Sequence, residues 1–145
     1  MRTLEILLVD DNPADTDLTS EVLASHSCPS HIHPVLDGVE AIAFLRRKGK
    51  YGNALVPDFV ILDLNLPKKS GREVLAEVKA DPMLRKIPIA IFSTSEAWQD
   101  VARSYELGAN CYVRKPGNLR DFVAAVTGIG QFWFSVARLP CEEQG

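Results

Sequence analysis

The chain has 145 residues, 46% hydrophobic and 24% charged, which suits one globular domain and leaves little room for a second. Its net charge of -3 and scattered Lys and Arg residues provide no clear basic face, which disfavours nucleic-acid binding. No apolar run approaches the ~20 residues of a membrane span. A secretory signal is also absent from the first residues, so we expect a cytoplasmic protein with neither nucleic acid nor membrane as partner.

Apolar segments of strand type and helix type alternate along the chain. In chain order, the predicted elements are a strand over residues 4–9, a helix over 14–24, a strand over 31–36, a helix marked by Val39 to Leu45, a strand over 58–64, a helix marked by Val74 to Val78, a strand over 88–92, a helix over 96–107, a strand over 110–113 and a helix over 119–136 that bends near Gly128 and Gly130. This alternation predicts one α/β domain with a doubly wound, five-stranded parallel sheet in the order 2-1-3-4-5.

Polar side chains follow four of the five predicted strands. Asp10 and Asp11 follow the first strand, and Asp63 follows the apolar run Phe59-Val60-Ile61-Leu62 near the end of the third. The fourth strand ends in a hydroxyl run, and the fifth is followed by a lysine; these residues are Ser93, Thr94, Ser95 and Lys115. In an open parallel sheet, ligands bind at the carboxyl ends of the strands where the strand order reverses. The acids therefore define a candidate site there.

Taken singly, each of these residues has an ordinary structural explanation. Asp10, Ser93 or Thr94 alone is typical of a helix cap, and Lys115 alone is typical of a surface lysine. Together they indicate chemistry, because three carboxylates in one pocket repel one another and favour Mg²⁺ with oxygen ligands. Next to the metal, a lysine and a hydroxyl, Asp63 can act as a nucleophile that forms an acyl phosphate.

Cysteine and histidine patterns give weaker signals. Three cysteines without C-x-x-C spacing argue against a disulfide framework or a zinc ribbon. His31 and His33 could point the same way along a strand and share a metal. Because no acidic or Cys ligand follows at a fitting spacing, we predict solvated histidines at the edge of the sheet.

The combined motifs resemble those of two-component response-regulator receiver domains over residues 4–127. The matching segments are Leu8-Val9-Asp10-Asp11-Asn12, Asp37-Gly38, Leu62-Asp63-Leu64-Asn65-Leu66-Pro67, Gly71, Phe92-Ser93-Thr94, Gly108-Ala109 and Tyr112-Val113-Arg114-Lys115-Pro116. A narrower resemblance is to the small stand-alone regulators that pair with phytochromes in cyanobacteria and other bacteria. It rests on the start Asp11-Asn12-Pro13-Ala14-Asp15, the insertion at residues 49–57, Asn110-Cys111-Tyr112, and the ending Phe132-Trp133 with Leu139-Pro140.

This resemblance implies that Asp63 takes a phosphoryl group from a phosphohistidine of a partner histidine kinase, and the narrower resemblance implies that this partner is a phytochrome kinase. It implies direct Mg²⁺ ligation by Asp11, Asp63 and the Asn65 backbone carbonyl, with Asp10 acting through a bound water.

The resemblance also assigns the groups around the phosphoryl position. Ser93 aligns with the switch hydroxyl of the family, with Thr94 as the alternative, and Lys115 would contact the phosphate. Tyr112 would be the switch aromatic that turns inward. The Lys115–Pro116 peptide bond is expected to be cis, and Asn65 and Ser95 occupy positions that tune phosphate lifetime.

Two other classes of protein are alternatives to a signalling switch that performs no turnover. A phosphohydrolase of the haloacid-dehalogenase type would need Asp-x-Asp after the first strand, but Asn12 and Pro13 follow Asp11 here. A flavodoxin-like FMN protein would need a Ser/Thr/Gly-rich phosphate loop, where Asp10 and Asp11 would repel a phosphate.

Residues 128–145 extend past the receiver domain, which we place at residues 1–127. This helical extension contains an apolar run from Ile129 to Val136 that either packs on its own core or stays exposed for a partner. We favour homodimerisation through the fourth helix, the fifth strand, the fifth helix and the extension, which the phytochrome-linked resemblance supports. Residues 141–145 are predicted to be a disordered tail.

Overall fold

The alternation of strands and helices is present in a computed structural model, which describes residues 3–140. The strands are β1 (Leu4–Val9), β2 (Ser30–Val35), β3 (Phe59–Leu62), β4 (Ile89–Ser93) and β5 (Cys111–Arg114). The helices are α1 (Pro13–Ala24), α2 (Gly38–Leu45), α3 (Gly71–Ala80), α4 (Trp98–Glu106) and α5 (Leu119–Gly130). All four strand pairs are parallel and the order is β2-β1-β3-β4-β5, which confirms the predicted fold.

Both faces of the sheet are covered, because its central strands are apolar except for Glu5 in β1 and Ser93 in β4. Every residue of β1, β3 and β4 is buried. One apolar cluster joins the sheet to α2 and α3, and another joins it to α1 and α5. No described helix has the length and apolar character needed to cross a bilayer.

Four of the five helices, α1, α2, α3 and α5, start at side-chain caps. Asn12 accepts a hydrogen bond from the Asp15 amide at 3.1 Å and starts α1, and Asp37 starts α2 in the same way. At Gly71, the first residue of α3, an added Cβ would lie only 2.1 Å from the Asp63 carbonyl oxygen. Only glycine therefore lets α3 approach the end of β3 this closely.

The helix predicted over residues 119–136 consists of α5 and a π-helical segment, Gln131–Val136. This segment brings the Trp133 and Phe134 rings within 5.2 and 5.7 Å of the Phe59 ring. Phe134 is buried, whereas Phe132 and Val136 are 51% and 65% exposed. The apolar run therefore both packs on the core and leaves apolar surface in solvent. The tail predicted for residues 141–145 lies outside the described residues.

Two local expectations are wrong, the first only in its premise. His31 and His33 lie on the edge strand β2 with side chains 66% and 36% exposed, as predicted, but an acidic partner is present: their ring nitrogens lie 3.0 and 2.7 Å from the two carboxylate oxygens of Glu5. Glu5 is directly opposite His31 in the register of β1 and β2, so the acidic partner comes from the neighbouring strand. No peptide bond in residues 3–140 is cis, and Lys115–Pro116 therefore has the trans form that most X-Pro bonds prefer.

Candidate functional site

The predicted polar residues meet at the carboxyl edge of the sheet. Asp63 directly follows β3, and its amide donates to the Val9 carbonyl at the end of β1, at 3.0 Å. At the other side, the Lys115 amide donates to the carbonyl of Ser93, the last residue of β4, at 2.7 Å. These ladder bonds align the ends of neighbouring strands, and so they bring the side chains together.

The Lys115 ammonium group is the centre of this cluster. Its Nζ lies 2.7 Å from Asp10 Oδ2 and 2.8 Å from Asp63 Oδ2, with all three side chains at most 10% exposed. A third carboxylate, that of Asp15 in the first turn of α1, lies 3.0 Å from Nζ. Lys115 is therefore a buried cation surrounded by acids and not a surface lysine.

Burial and pairing act in opposite directions on these groups. Burial alone would lower the pKa of Lys115, but hydrogen bonds to Asp10 and Asp63 raise it above its ordinary value. Burial raises the pKa of Asp10, although the Lys115 ammonium and the Asn12 amide oppose this change. Lys115 is therefore protonated at neutral pH. A further positive charge next to Asp10 would stabilise the ionised form of its carboxyl group.

The carboxylate cluster fits a divalent metal ion. One oxygen each from Asp10, Asp11 and Asp63 lie within 4.8 Å of one another. Asp10 and Asp63 are buried and Asp11 is exposed, so the cluster has a wall of protein and an open side. An all-oxygen, open set of this kind suits Mg²⁺, which keeps several waters and leaves room for a phosphate.

The two candidate hydroxyls occupy different environments. Ser93 is fully buried and its Oγ accepts a long hydrogen bond of 3.5 Å from the Ser95 amide, whereas Thr94 is exposed. The Asn65 amide donates to Asp63 Oδ1 at 3.4 Å, while the rest of Asn65 is exposed. Tyr112 is half-buried, and its hydroxyl donates to the Ser95 carbonyl at 2.7 Å. Burial raises the pKa of this tyrosine.

An acidic cluster with one lysine and one buried hydroxyl, at the switch point of a 2-1-3-4-5 sheet, defines the receiver class of signalling domain. The response regulator receiver domain family model matches residues 6–127, and the chain belongs to this family. The predicted family is thereby confirmed.

The chain is similar to regulators of phytochrome systems. It is 47% identical over 135 residues to response regulator Rcp1 of Synechocystis sp., a match that covers 93% of this chain and 92% of Rcp1. The phosphorylated cyanobacterial phytochrome response regulator RcpA is 50% identical with a TM-score of 0.93, over 96% of this chain and 99% of that one. The Mn²⁺-bound form of Rcp1 is 46% identical with a TM-score of 0.92, over 94% and 99%. The narrower resemblance is confirmed as well.

Sequence reasoning did not assign Asp15 to the site. The available signal was its position three residues after the helix cap Asn12, which puts it in the first turn of α1 directly after the acidic end of β1. A carboxylate at this position is stabilised by the helix dipole, and it lies near the cation that pairs with Asp10. The structure adds it as a third partner of Lys115.

Proposed function

We propose that this protein is a response regulator that accepts a phosphoryl group on Asp63 from the phosphohistidine of a partner histidine kinase. The observation that carries this proposal is the buried Lys115 ammonium, 2.8 Å from Asp63 Oδ2, beside a three-carboxylate cluster at the open end of the sheet. A carboxylate held in this way is accessible from one side and lies beside groups that offset the charge of a phosphoryl group.

In the proposed reaction, an Asp63 carboxylate oxygen attacks the phosphorus atom while the phosphorus–nitrogen bond of the phosphohistidine breaks. The product is an acyl phosphate on Asp63 and a neutral histidine on the kinase. Mg²⁺, when bound, offsets the charge of the phosphoryl oxygens. Asp11, Asp63 and the Asn65 carbonyl would hold it directly, with Asp10 acting through a water.

The remaining groups of the site would stabilise the acyl phosphate on Asp63 and change their positions when it forms. Lys115 would offer one N–H to a phosphoryl oxygen, because its ammonium group already reaches Asp63. Ser93 would donate a hydrogen bond from its hydroxyl to another phosphoryl oxygen. Its complete burial at the end of β4 favours it over the exposed Thr94 for this role. Tyr112 would move together with Ser93, since both side chains form a hydrogen bond with the backbone of Ser95.

The similarity to Rcp1 and RcpA supports a kinase of the phytochrome type as the partner. Because such a kinase makes its phosphohistidine from ATP, a cytoplasmic location is part of this proposal. Purified phytochrome kinase, phosphorylated in advance, should transfer its label to this protein faster than an unrelated kinase does. Equal rates from both kinases would refute the phytochrome assignment.

Homodimerisation through α4, β5, α5 and the extension at residues 128–145 also remains a proposal. It is supported by a surface groove whose lining includes the half-buried Cys111 and Val113 of β5 together with Phe132 and Trp133 of the extension. Sedimentation velocity should show that Phe132→Ser shifts the protein from dimer to monomer. Leu36→Ser, at a 58% exposed residue elsewhere, is the matched control and should change nothing. A parental protein that is monomeric at all concentrations would end this proposal.

Incubation with acetyl phosphate and Mg²⁺ tests phosphoryl acceptance. We expect one phosphoryl group per chain by intact mass spectrometry, none with EDTA, and none in Asp63→Asn. Asp58→Asn is the matched control, because Asp58 is a buried carboxylate at the opposite end of the same strand. Repeated turnover of a phosphomonoester, without a stable adduct, would instead support the phosphohydrolase alternative.

A further inference from the structure

Arg72, Asp100 and Ser95 form a polar chain just outside the carboxylate cluster. Asp100 lies in the first turn of α4 and uses both carboxylate oxygens. Oδ1 accepts from Arg72 Nη2 on α3, and Oδ2 accepts from the Ser95 hydroxyl at 2.5 Å. The Ser95 hydroxyl and the Arg72 guanidinium hold the pKa of Asp100 below its ordinary value. These hydrogen bonds therefore connect α3 to the loop between β4 and α4.

Ser95 connects this chain to the switch groups. Its amide donates to Ser93 Oγ at 3.5 Å, and its carbonyl accepts from the Tyr112 hydroxyl at 2.7 Å. Ala97 occupies the N-cap position of α4 and offers no side-chain acceptor. The hydrogen bonds of the Ser95 hydroxyl with Asp100 and with the Ala97 amide take the place of that side-chain cap at the start of α4.

The direction of these hydrogen bonds has a consequence for Ser93. A serine hydroxyl donates one proton and accepts through its oxygen. Since Ser93 Oγ accepts from the Ser95 amide, its proton is the group left for donation, and the Tyr112 hydroxyl is its present partner; this proton would turn from Tyr112 to a phosphoryl oxygen on Asp63. If Ser95 were released from Asp100, its amide and carbonyl would shift, and Ser93 and Tyr112 would lose their common partner.

We propose that Arg72 and Asp100 are positioning residues for phosphoryl acceptance, and that they act through Ser95 on the Ser93 hydroxyl. This inference rests on the proposed function of Asp63. Arg72 and Asp100 are 36% and 27% exposed, so each removal should slow labelling about two- to fivefold, the range for a partly exposed ion pair. The half-saturating concentration of the donor should stay the same, because the hydrogen bonds of Arg72 and Asp100 join them to each other and to Ser95 and not to the carboxylates of the site.

The test measures initial labelling rates with acetyl phosphate and Mg²⁺ for Asp100→Asn, Arg72→Gln and the double variant. The double variant should be no slower than the slower single one, because both residues act through one path. Arg103→Gln is the matched control. It removes an exposed ion pair with Glu106 at 4.0 Å on the same helix and should label at the parental rate.

A second readout separates positioning from a general structural role. Amide hydrogen exchange by NMR should become faster at Ser95 in Asp100→Asn, while the central strands stay protected. In a Ser93→Ala background, Asp100→Asn should cause no further loss of labelling rate. Unchanged rates and unchanged exchange in Asp100→Asn would overturn the inference, as would an equal slowing in the Ser93→Ala background. A parental protein that takes no label would overturn the proposed function and this inference with it.

Discussion

Replacing Lys115 with methionine removes the cation and keeps most of the side-chain volume. It leaves Asp10 and Asp63, at 4% and 10% exposure, without the partner that lies 2.7 and 2.8 Å away. Breaking a buried ion pair from one side costs about 3–5 kcal/mol. Because the cluster is open next to Asp11, we expect the lower value, about 3 kcal/mol. For a domain of this size that is a fall in Tm of about 6–12 °C.

The pH and metal dependence of this loss identify its cause. The pKa of Asp10 is already above its ordinary value of 3.8 because of burial, and without the Lys115 ammonium it should rise further. A raised carboxyl pKa contributes stability at low pH that is lost as the pH rises through the folded-state value. The deficit of the variant should therefore grow from acid to neutral pH. Mg²⁺ at about one hundred times its Kd for the variant should stabilise the variant by about 2.7 kcal/mol. The deficit relative to the parental protein should shrink in Mg²⁺, because the metal replaces the positive charge that only the variant has lost.

Urea denaturation in EDTA and in Mg²⁺, at several pH values, provides the measurement. Lys68→Met is the matched control, because Lys68 is 68% exposed and has one ion pair, with Asp37 at 3.5 Å. It should cost less than about 1 kcal/mol relative to the parental protein, and this cost should be the same in EDTA and in Mg²⁺, because the metal site is unchanged. The reasoning is refuted if Lys115→Met costs no more than Lys68→Met, or if its deficit is independent of both pH and metal.

Two further predictions concern stability elsewhere in the fold. The Tyr51 hydroxyl donates to Glu40 Oε2 at 2.6 Å and holds the pKa of Glu40 below its ordinary value of 4.5. Tyr51→Phe should therefore cost about 1 kcal/mol at pH 7 in urea titrations, and this cost should vanish as the pH falls below the folded-state value, whereas a pH-independent cost would contradict the assignment. Gly71→Ala should lower stability by about 3 kcal/mol and slow labelling of Asp63, because the new Cβ would clash with the Asp63 carbonyl. Gly128→Ala, in open space on α5, should raise stability by roughly 0.5–1 kcal/mol, and equal effects of the two substitutions in thermal melts would contradict this steric argument.

The features of this fold that depend on local sequence patterns could be predicted from the sequence. The apolar run before Asp63 and the βα alternation predict a parallel sheet, and the sheet alone brings Asp10 and Asp63 to one edge. The strand ends were less certain. Ser93 was predicted to follow the fourth strand but is its last residue, and β3 stops at Leu62 instead of Leu64.

The parts that depend on contacts across the fold were not readable. The position of Glu5 beside His31 and His33 requires the register between β1 and β2, which no local pattern specifies. The reach of Lys115 to Asp15 depends on the direction of a flexible side chain across 100 residues of sequence. Capping patterns were informative about where helices begin, but not about the π-helical segment that follows α5.

Mapping the modified residue tests the central claim most directly. After reaction with acetyl phosphate and Mg²⁺, borohydride reduction converts an aspartyl phosphate to homoserine, which peptide mass spectrometry locates. We predict homoserine at position 63 and at no other aspartate, including Asp10, Asp11 and Asp15, and its absence when EDTA is present. Homoserine at one of those three residues, or phosphate retained on a histidine or serine, would contradict the assignment of Asp63 as the phosphoryl acceptor.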